Sequence, residues 1–180
     1  MMNIVVYGCD NSGKTSLANH IAEKFNFNYV RSKGGPKMET SEVLKYLEDN
    51  LNSELNSVFD RFSIIEEYAN GLVLRGKDRF QEEFIDKDHF LDQVELFVYA
   101  CPSMDAVKNW GDREQMDGII ENIDRLREMY RVFSVNDVAM MGRNLFVFDW
   151  TNDSDYSKFD AWLEAFMENQ RRVADLVNLE

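Results

Sequence analysis

Gly8-Cys9-Asp10-Asn11-Ser12-Gly13-Lys14-Thr15, with Ser16 following, sets a lysine and a hydroxyl directly behind the second of two glycines. This is the G-x-x-x-x-G-K-[ST] pattern of a phosphate-binding P-loop. The glycines allow the tight turn in which successive backbone N–H groups converge on phosphate oxygens. The Lys14 ammonium can neutralise β- and γ-phosphates, and the Thr15 hydroxyl can ligate Mg²⁺. Gly8, Asn11, Ser12, Gly13, Lys14, Thr15 and Ser16 are thus the candidate nucleotide-binding set, with ATP and Mg²⁺ implied. Asp10 is the odd residue, since a carboxylate in such a loop is repelled by the ligand. It either steadies the turn or accepts a hydrogen bond from a second substrate, such as a sugar hydroxyl.

Phosphoryl transfer needs an acid to organise the metal, a seat for the acceptor and cations for the moving charge. Two apolar runs end in Asp, at Asp60 and Asp149. Asp60 is the better metal-side carboxylate, because Arg61 beside it can clamp an acceptor phosphate; the alternative for the pair is a surface ion pair of little energy. Asp149 can instead cap the turn formed with Thr151, Asn152 and Asp153. Arg31-Ser32-Lys33-Gly34-Gly35-Pro36 is a loop that either lies in solvent or contacts an anion at a strand's carboxyl end. Arg113, in a polar stretch bounded by Gly111 and Gly118, is either a lid cation or a solvated arginine. His89, one of two histidines with His20, has no neighbour that would complete a nucleophile–base pair, and a structural or exposed place is expected for it.

The elements that must hold these groups alternate along the chain. Strands are expected at residues 3–8, 27–30, 57–59, 94–100 and 145–149, and helices at 14–25, from Thr40 or Ser41 to Leu51, 62–76, 104–110, 119–132 and 156–178. Thr40 or Ser41 can cap the second helix. The charged stretch 77–93 is expected as a helix or ordered loop on the surface. The alternation predicts an α/β fold: a five-stranded parallel sheet with helices on both faces, in one domain spanning residues 1–180 with a short lid around 108–118.

Composition narrows the partners. The 180 residues carry a net charge of −13, which argues against a standing nucleic-acid or anionic-membrane surface. The two cysteines have no zinc spacing and no disulfide framework, which points to a reducing compartment. The run Ile4–Tyr7 is too short to cross a membrane, so a cytoplasmic protein acting on small molecules is expected, with a homodimer open.

Taken together, Gly8–Ser16, Arg31–Gly35, Asp60-Arg61-Phe62, Val94–Cys101 with Pro102, Asp112-Arg113-Glu114 and Ile123–Tyr130 resemble the thymidylate-kinase branch of the P-loop nucleoside and nucleotide kinases, in that family's order. The resemblance implies that Asp10 contacts the 3′-hydroxyl of the nucleotide being phosphorylated. It implies that Asp60 and Arg61 serve metal and acceptor phosphate, and that Arg31, Gly34 and Gly35 border the acceptor. Arg113 would approach the ATP phosphates, since Asn11 supplies no charge there. The chain departs from the family in its short stretch between Gly35 and Asp60. Ile65, Glu66 and Glu67 stand where small hydroxyl residues are usual, with Asn70 at a position where a glutamine is common. Asp60-Arg61-Phe62, Glu66-Glu67 and the run Gly71–Gly76 are similar to small phage-encoded members, which would place the protein in a host cytoplasm.

The expected activity is therefore ATP- and Mg²⁺-dependent phosphorylation of a deoxynucleoside monophosphate, thymidylate or a 5-modified relative. Catalysis is expected from Lys14, Asp60, Arg61 and Arg113; metal ligation from Thr15 and Asp60; acceptor binding from Asp10, Arg31, Gly34, Gly35, Arg61 and Asn70. The rivals are a deoxynucleoside kinase, or a kinase of hydroxymethylated bases in DNA, with Asp60, Glu66 or Glu67 as base. A third is a P-loop switch without an acceptor.

Overall fold

The computed structural model describes residues 1–33, 37–109, 117–152 and 155–177. Five parallel strands, β1 (Asn3–Tyr7), β2 (Asn28–Arg31), β3 (Ser57–Asp60), β4 (Leu96–Ala100) and β5 (Leu145–Phe148), form one sheet in the order β2-β3-β1-β4-β5. Val6 lies beside Asp60, Arg31 beside Asp60 and Tyr7 beside Tyr99, so the carboxyl ends of the inner strands are level.

The period-2 alternation of β1 divides the core. Val5 and Tyr7 face one layer with Phe59, Phe97 and Tyr99. Val43, Leu47 and Leu51 of α2 (Thr40–Leu51), Ile64 and Ile65 of α3 (Ser63–Glu66), and Leu126, Tyr130 and Phe133 of α7 (Ile123–Phe133) cover that face. Ile4 and Val6 face the other layer, covered by Leu17, Ala18 and Ile21 of α1 (Lys14–Phe25) and by Phe159 and Leu163 of α8 (Asp155–Val177). Both faces of the three inner strands are buried, as a parallel sheet requires, while the outer strands expose Asn28, Arg31 and Val147. No helix among the described residues is long and apolar enough to cross a membrane.

Several expectations are corrected. The helix expected over 62–76 is α3 followed by a π-helical stretch, Glu67–Arg75, and α7 likewise runs on as a π-helix over Ser134–Ala139. Neither Thr40 nor Ser41 caps α2: Glu39 holds the cap position, and Thr40 Oγ1 donates to Glu83 instead. The fourth strand starts at Leu96, because Gln93 and Val94 close turns after α5 (Asp88–Leu91). The stretch 77–93 is tied down by buried Phe80, Phe90 and Leu91, and Asp78 caps α4 (Arg79–Glu82) while pairing with Lys87. α6 (Met104–Lys108) is short, and the lid residues 110–116, Arg113 among them, lie outside the described residues, as do Gly34 and Gly35.

Candidate active site

The loop between β1 and α1 has the backbone its glycines permit. Gly8 has φ +146 and Gly13 φ +86, values that side chains resist. A Cβ on Gly8 would stand 2.5 Å from the Ala100 carbonyl oxygen, and one on Gly13 2.7 Å from Cδ1 of Trp150. The loop therefore sits against the ends of both β4 and β5. Gly13 is the N-cap of α1, and the first-turn N–H groups of a helix lack acceptors within it. With the helix dipole they make an anion seat. Lys14 is buried, and its Nζ donates to the Cys9 carbonyl at 2.6 Å. Burial, then the nearby Arg61 guanidinium, lower its pKa, so a phosphate brought here would stabilise its charged form.

Asn11, at φ +61, points its amide at the C-terminal end of α6, donating to the carbonyls of Ala106, Val107 and Asn109 at 3.0–3.1 Å. Its side chain thus anchors the loop, and its contribution to a bound nucleotide would come from the backbone.

β3 delivers the acid. Asp60 is 2% exposed, and its Oδ2 accepts from the Thr15 hydroxyl at 2.7 Å and from Tyr29 OH at 2.7 Å. Burial and the Asp60 carboxylate push the Tyr29 phenol up to about 12, so it stays a donor. Asp60 Oδ1 is buried with no hydrogen-bonding partner among the described residues. A buried, unpartnered carboxylate oxygen beside a hydroxyl oxygen fits Mg²⁺, which takes few protein ligands and keeps several waters. Asp149, by contrast, accepts from the Thr151 backbone N–H at 2.9 Å and closes the turn after β5.

Arg61 follows at φ +74, left-handed backbone that is strained for an arginine. Its N–H donates to the Val6 carbonyl at 2.9 Å, which fixes the turn across the end of β1. Nη2 then meets Asp10 Oδ1 at 3.1 Å and Nη1 meets Glu66 Oε1 at 3.0 Å. Burial works to lower the Arg61 pKa, but Glu66 and Asp10 outweigh it and hold the guanidinium charged. Burial raises the Glu66 pKa, opposed by Arg61.

Most of the residues singled out in the sequence are thus assembled at one sheet edge: the loop, Thr15, Asp60, Arg61 and Asp10. Arg31 is at that edge through its register with Asp60, its carbonyl accepting from Tyr46 OH at 2.9 Å, while its side chain is exposed. Asn70 is half-buried on the helix beyond Glu66. Two contributors were not foreseen: Tyr29 alternates in a four-residue strand, and Trp150 follows β5 with no local signal. Glu66, expected as a departure from the family pattern and as a candidate base, lies on Arg61. His89 is exposed, and His20 Nε2 lies 2.7 Å from Asp160 Oδ1, holding α1 to α8.

No family model matches the chain, and no curated protein matches it in sequence. Solved structures match it in fold. The YorR protein of Bacillus subtilis, in complex with phosphorylated GDP, superposes with a TM-score of 0.69 at 16% identity, over 93% of this chain and 98% of that one. Deoxyadenosine kinase from M. mycoides with bound dATP gives 0.60 at 15% identity, over 91% and 100%. The same enzyme with bound dCTP gives 0.56 at 15% identity over the same shares. The fold is that of the P-loop nucleotide kinases. At such identities the likeness speaks for the architecture and leaves the chemistry to the residues of the site.

Proposed function

We propose that this chain transfers the γ-phosphoryl group of ATP to a deoxynucleoside monophosphate, thymidylate or a 5-modified relative, giving the diphosphate. The observation that supports this best is the contact between the two motifs: Thr15 of the loop bonds to Asp60, and Asp10 of the loop bonds to Arg61. A donor seat and an acceptor seat then share one wall, as in-line transfer requires.

In this reading Lys14 and the first-turn N–H groups of α1 hold the β- and γ-phosphates. Thr15 and Asp60 would hold Mg²⁺, which neutralises phosphate charge and leaves an easier leaving group. Arg61 takes the acceptor phosphate, Asp10 takes a sugar hydroxyl, and Arg31, Gly34, Gly35 and Asn70 border the acceptor. Arg113 closes over the phosphates. A phosphate acceptor is already ionised, so no strong base is needed.

A second reading, transfer to the hydroxyl of a deoxynucleoside, is favoured by the Glu66 carboxylate 3.0 Å from Arg61, which could serve as a base. The likeness to the fold of deoxyadenosine kinase suits it equally. A DNA acceptor fits poorly with a net charge of −13.

Incubation with γ-labelled ATP, Mg²⁺ and a panel of nucleosides, monophosphates and DNA separates these readings by where label appears. Label in a deoxynucleoside diphosphate is the expected result, and transfer to no monophosphate would refute it. Lys14→Ala should abolish transfer, and Arg61→Ala should raise the monophosphate KM by about 10–100-fold.

A further inference from the structure

Arg61 is the cation on which an acceptor phosphate would depend, and two carboxylates already share it. Nη1 donates to Glu66 at 3.0 Å and Nη2 to Asp10 at 3.1 Å, with side-chain exposures of 36% for Arg61, 23% for Glu66 and 13% for Asp10. One guanidinium against two carboxylates leaves the group with a net negative charge. A phosphate arriving here must take a guanidinium edge from one of them.

Asp10 has a substitute donor under the functional reading above, the sugar hydroxyl. Glu66 has none. Among the described residues its one hydrogen-bonding partner is Arg61. The arginines next along the chain, Arg75 and Arg79, are both taken by Glu67. Lys14 is bonded to the Cys9 carbonyl and, in the functional reading above, serves the donor phosphates. Nor can the helix turn Glu66 aside: Ile64, Ile65 and Ala69 around it are fully buried, and Glu67 is pinned on the next position. A displaced Glu66 would be left without a cation beside a phosphate, a like-charge contact that a half-buried site disfavours strongly. A neutral hydroxyl could donate to Glu66 with Arg61 still in place.

We propose that Glu66 is a specificity-determining residue: by holding Arg61, it penalises a phosphate-bearing acceptor relative to the matching uncharged nucleoside, and its charge decides how the site chooses between them. This rests on the reading that the acceptor sits at Arg61. The discrimination is by repulsion: it lowers the preference of the site for a monophosphate without excluding it.

The test compares wild type, Glu66→Gln and Glu66→Asp. Each of the four common deoxynucleosides is paired with its 5′-monophosphate. Affinities are measured by titration calorimetry with Mg²⁺ and a non-hydrolysable ATP analogue present, and kcat/KM by label transfer. Glu66→Gln should raise the monophosphate-to-nucleoside ratio by about tenfold or more, for binding and for kcat/KM. Glu66→Asp, which keeps the charge, should hold the ratio near wild type. An unchanged or lowered ratio in Glu66→Gln, in protein with a wild-type thermal transition, overturns the proposal. So does a failure of the monophosphates to bind either protein. If wild type labels neither acceptor, the kinase reading fails, and the binding ratio still decides the role of Glu66.

Discussion

The hydroxyl of Thr15 donates to Oδ2 of Asp60 at 2.7 Å, tying the first helix to the end of β3 while Oδ1 of the same carboxylate is buried without a partner among the described residues. Two oxygens from segments far apart in the chain thus stand together at the mouth of the anion seat. Asp60→Asn preserves the shape and removes the charge. It should lower kcat by about 10²–10³-fold and raise the Mg²⁺ concentration needed for half-maximal activity. A Mg²⁺ titration of labelled transfer checks this, and an unchanged Mg²⁺ requirement would place the metal on other residues.

Trp150 lies against Gly13, close enough that a Cβ there would stand 2.9 Å from its Nε1. Trp150 is 39% exposed, so a phosphate settling in the loop should alter its surroundings. Binding of ATP with Mg²⁺ should change the intrinsic fluorescence, and Trp150→Phe should remove most of that change while leaving the affinity within about threefold. Gly13→Ala combines a left-handed φ with the indole clash and should weaken nucleotide binding by tenfold or more.

The two thiols should react differently. Burial pushes the Cys9 thiol up to about 11, whereas Cys101 is half-buried and accepts a contact from Arg127 Nη2 at 3.4 Å. Only the thiolate attacks an alkylating agent. Iodoacetamide at pH 8 should therefore label Cys101 and spare Cys9 in native protein, with both labelled after denaturation, as read by peptide mass spectrometry. Rapid native labelling of Cys9 would mean that the loop opens far more often than its packing implies.

Asp160 holds α8 against α1 through Lys24 Nζ at 2.6 Å and His20 Nε2 at 2.7 Å. Burial works to raise the Asp160 pKa, and the hydrogen bonds from Lys24 and His20 overcome it and lower it. A lowered folded-state pKa gives stability that is present above the unfolded value near 4 and is lost as pH falls through the folded value. Lys24 is 41% exposed, so solvent discounts the effect to about 0.5–1 kcal/mol. Asp160→Asn should lower Tm by a few degrees at pH 7, and the difference should shrink as pH falls below about 4.

Much of the fold was legible because its signals are local. The apolar run Ile4–Tyr7, the glycines and the helical spacing of Leu17 and Ile21 specify strand, loop and helix within 25 residues, and α1 falls at residues 14–25 as read. Asp60-Arg61 could be chosen over Asp149 because two charges at a strand end are visible in one stretch. The two π-helical stretches, the buried aromatics of residues 77–93 and the start of β4 were not legible, since packing against distant segments sets them. The pairing of Arg61 with Glu66 was hidden for a further reason. On a sequence, Glu66 and Glu67 are equivalent neighbours, and only the arginines each one meets, Arg61 for Glu66 and Arg75 and Arg79 for Glu67, tell the two apart.

The sequence by itself determined the glycine-rich loop of the P-loop pattern, an alternating α/β chain and the residue types of the proposed site. Each of those follows from short-range rules: backbone freedom at glycine, side-chain period, and charge at a strand end. Tertiary structure decided which charges meet. It brought Thr15 to Asp60, turned Asp10 and Glu66 onto one guanidinium, and set Trp150 on Gly13, because the strand order places β3 and β4 on either side of β1 and so gathers their carboxyl ends around the loop. Opposite charges draw together only where the fold has already brought them within a few ångströms, and no spacing along the chain encodes that distance.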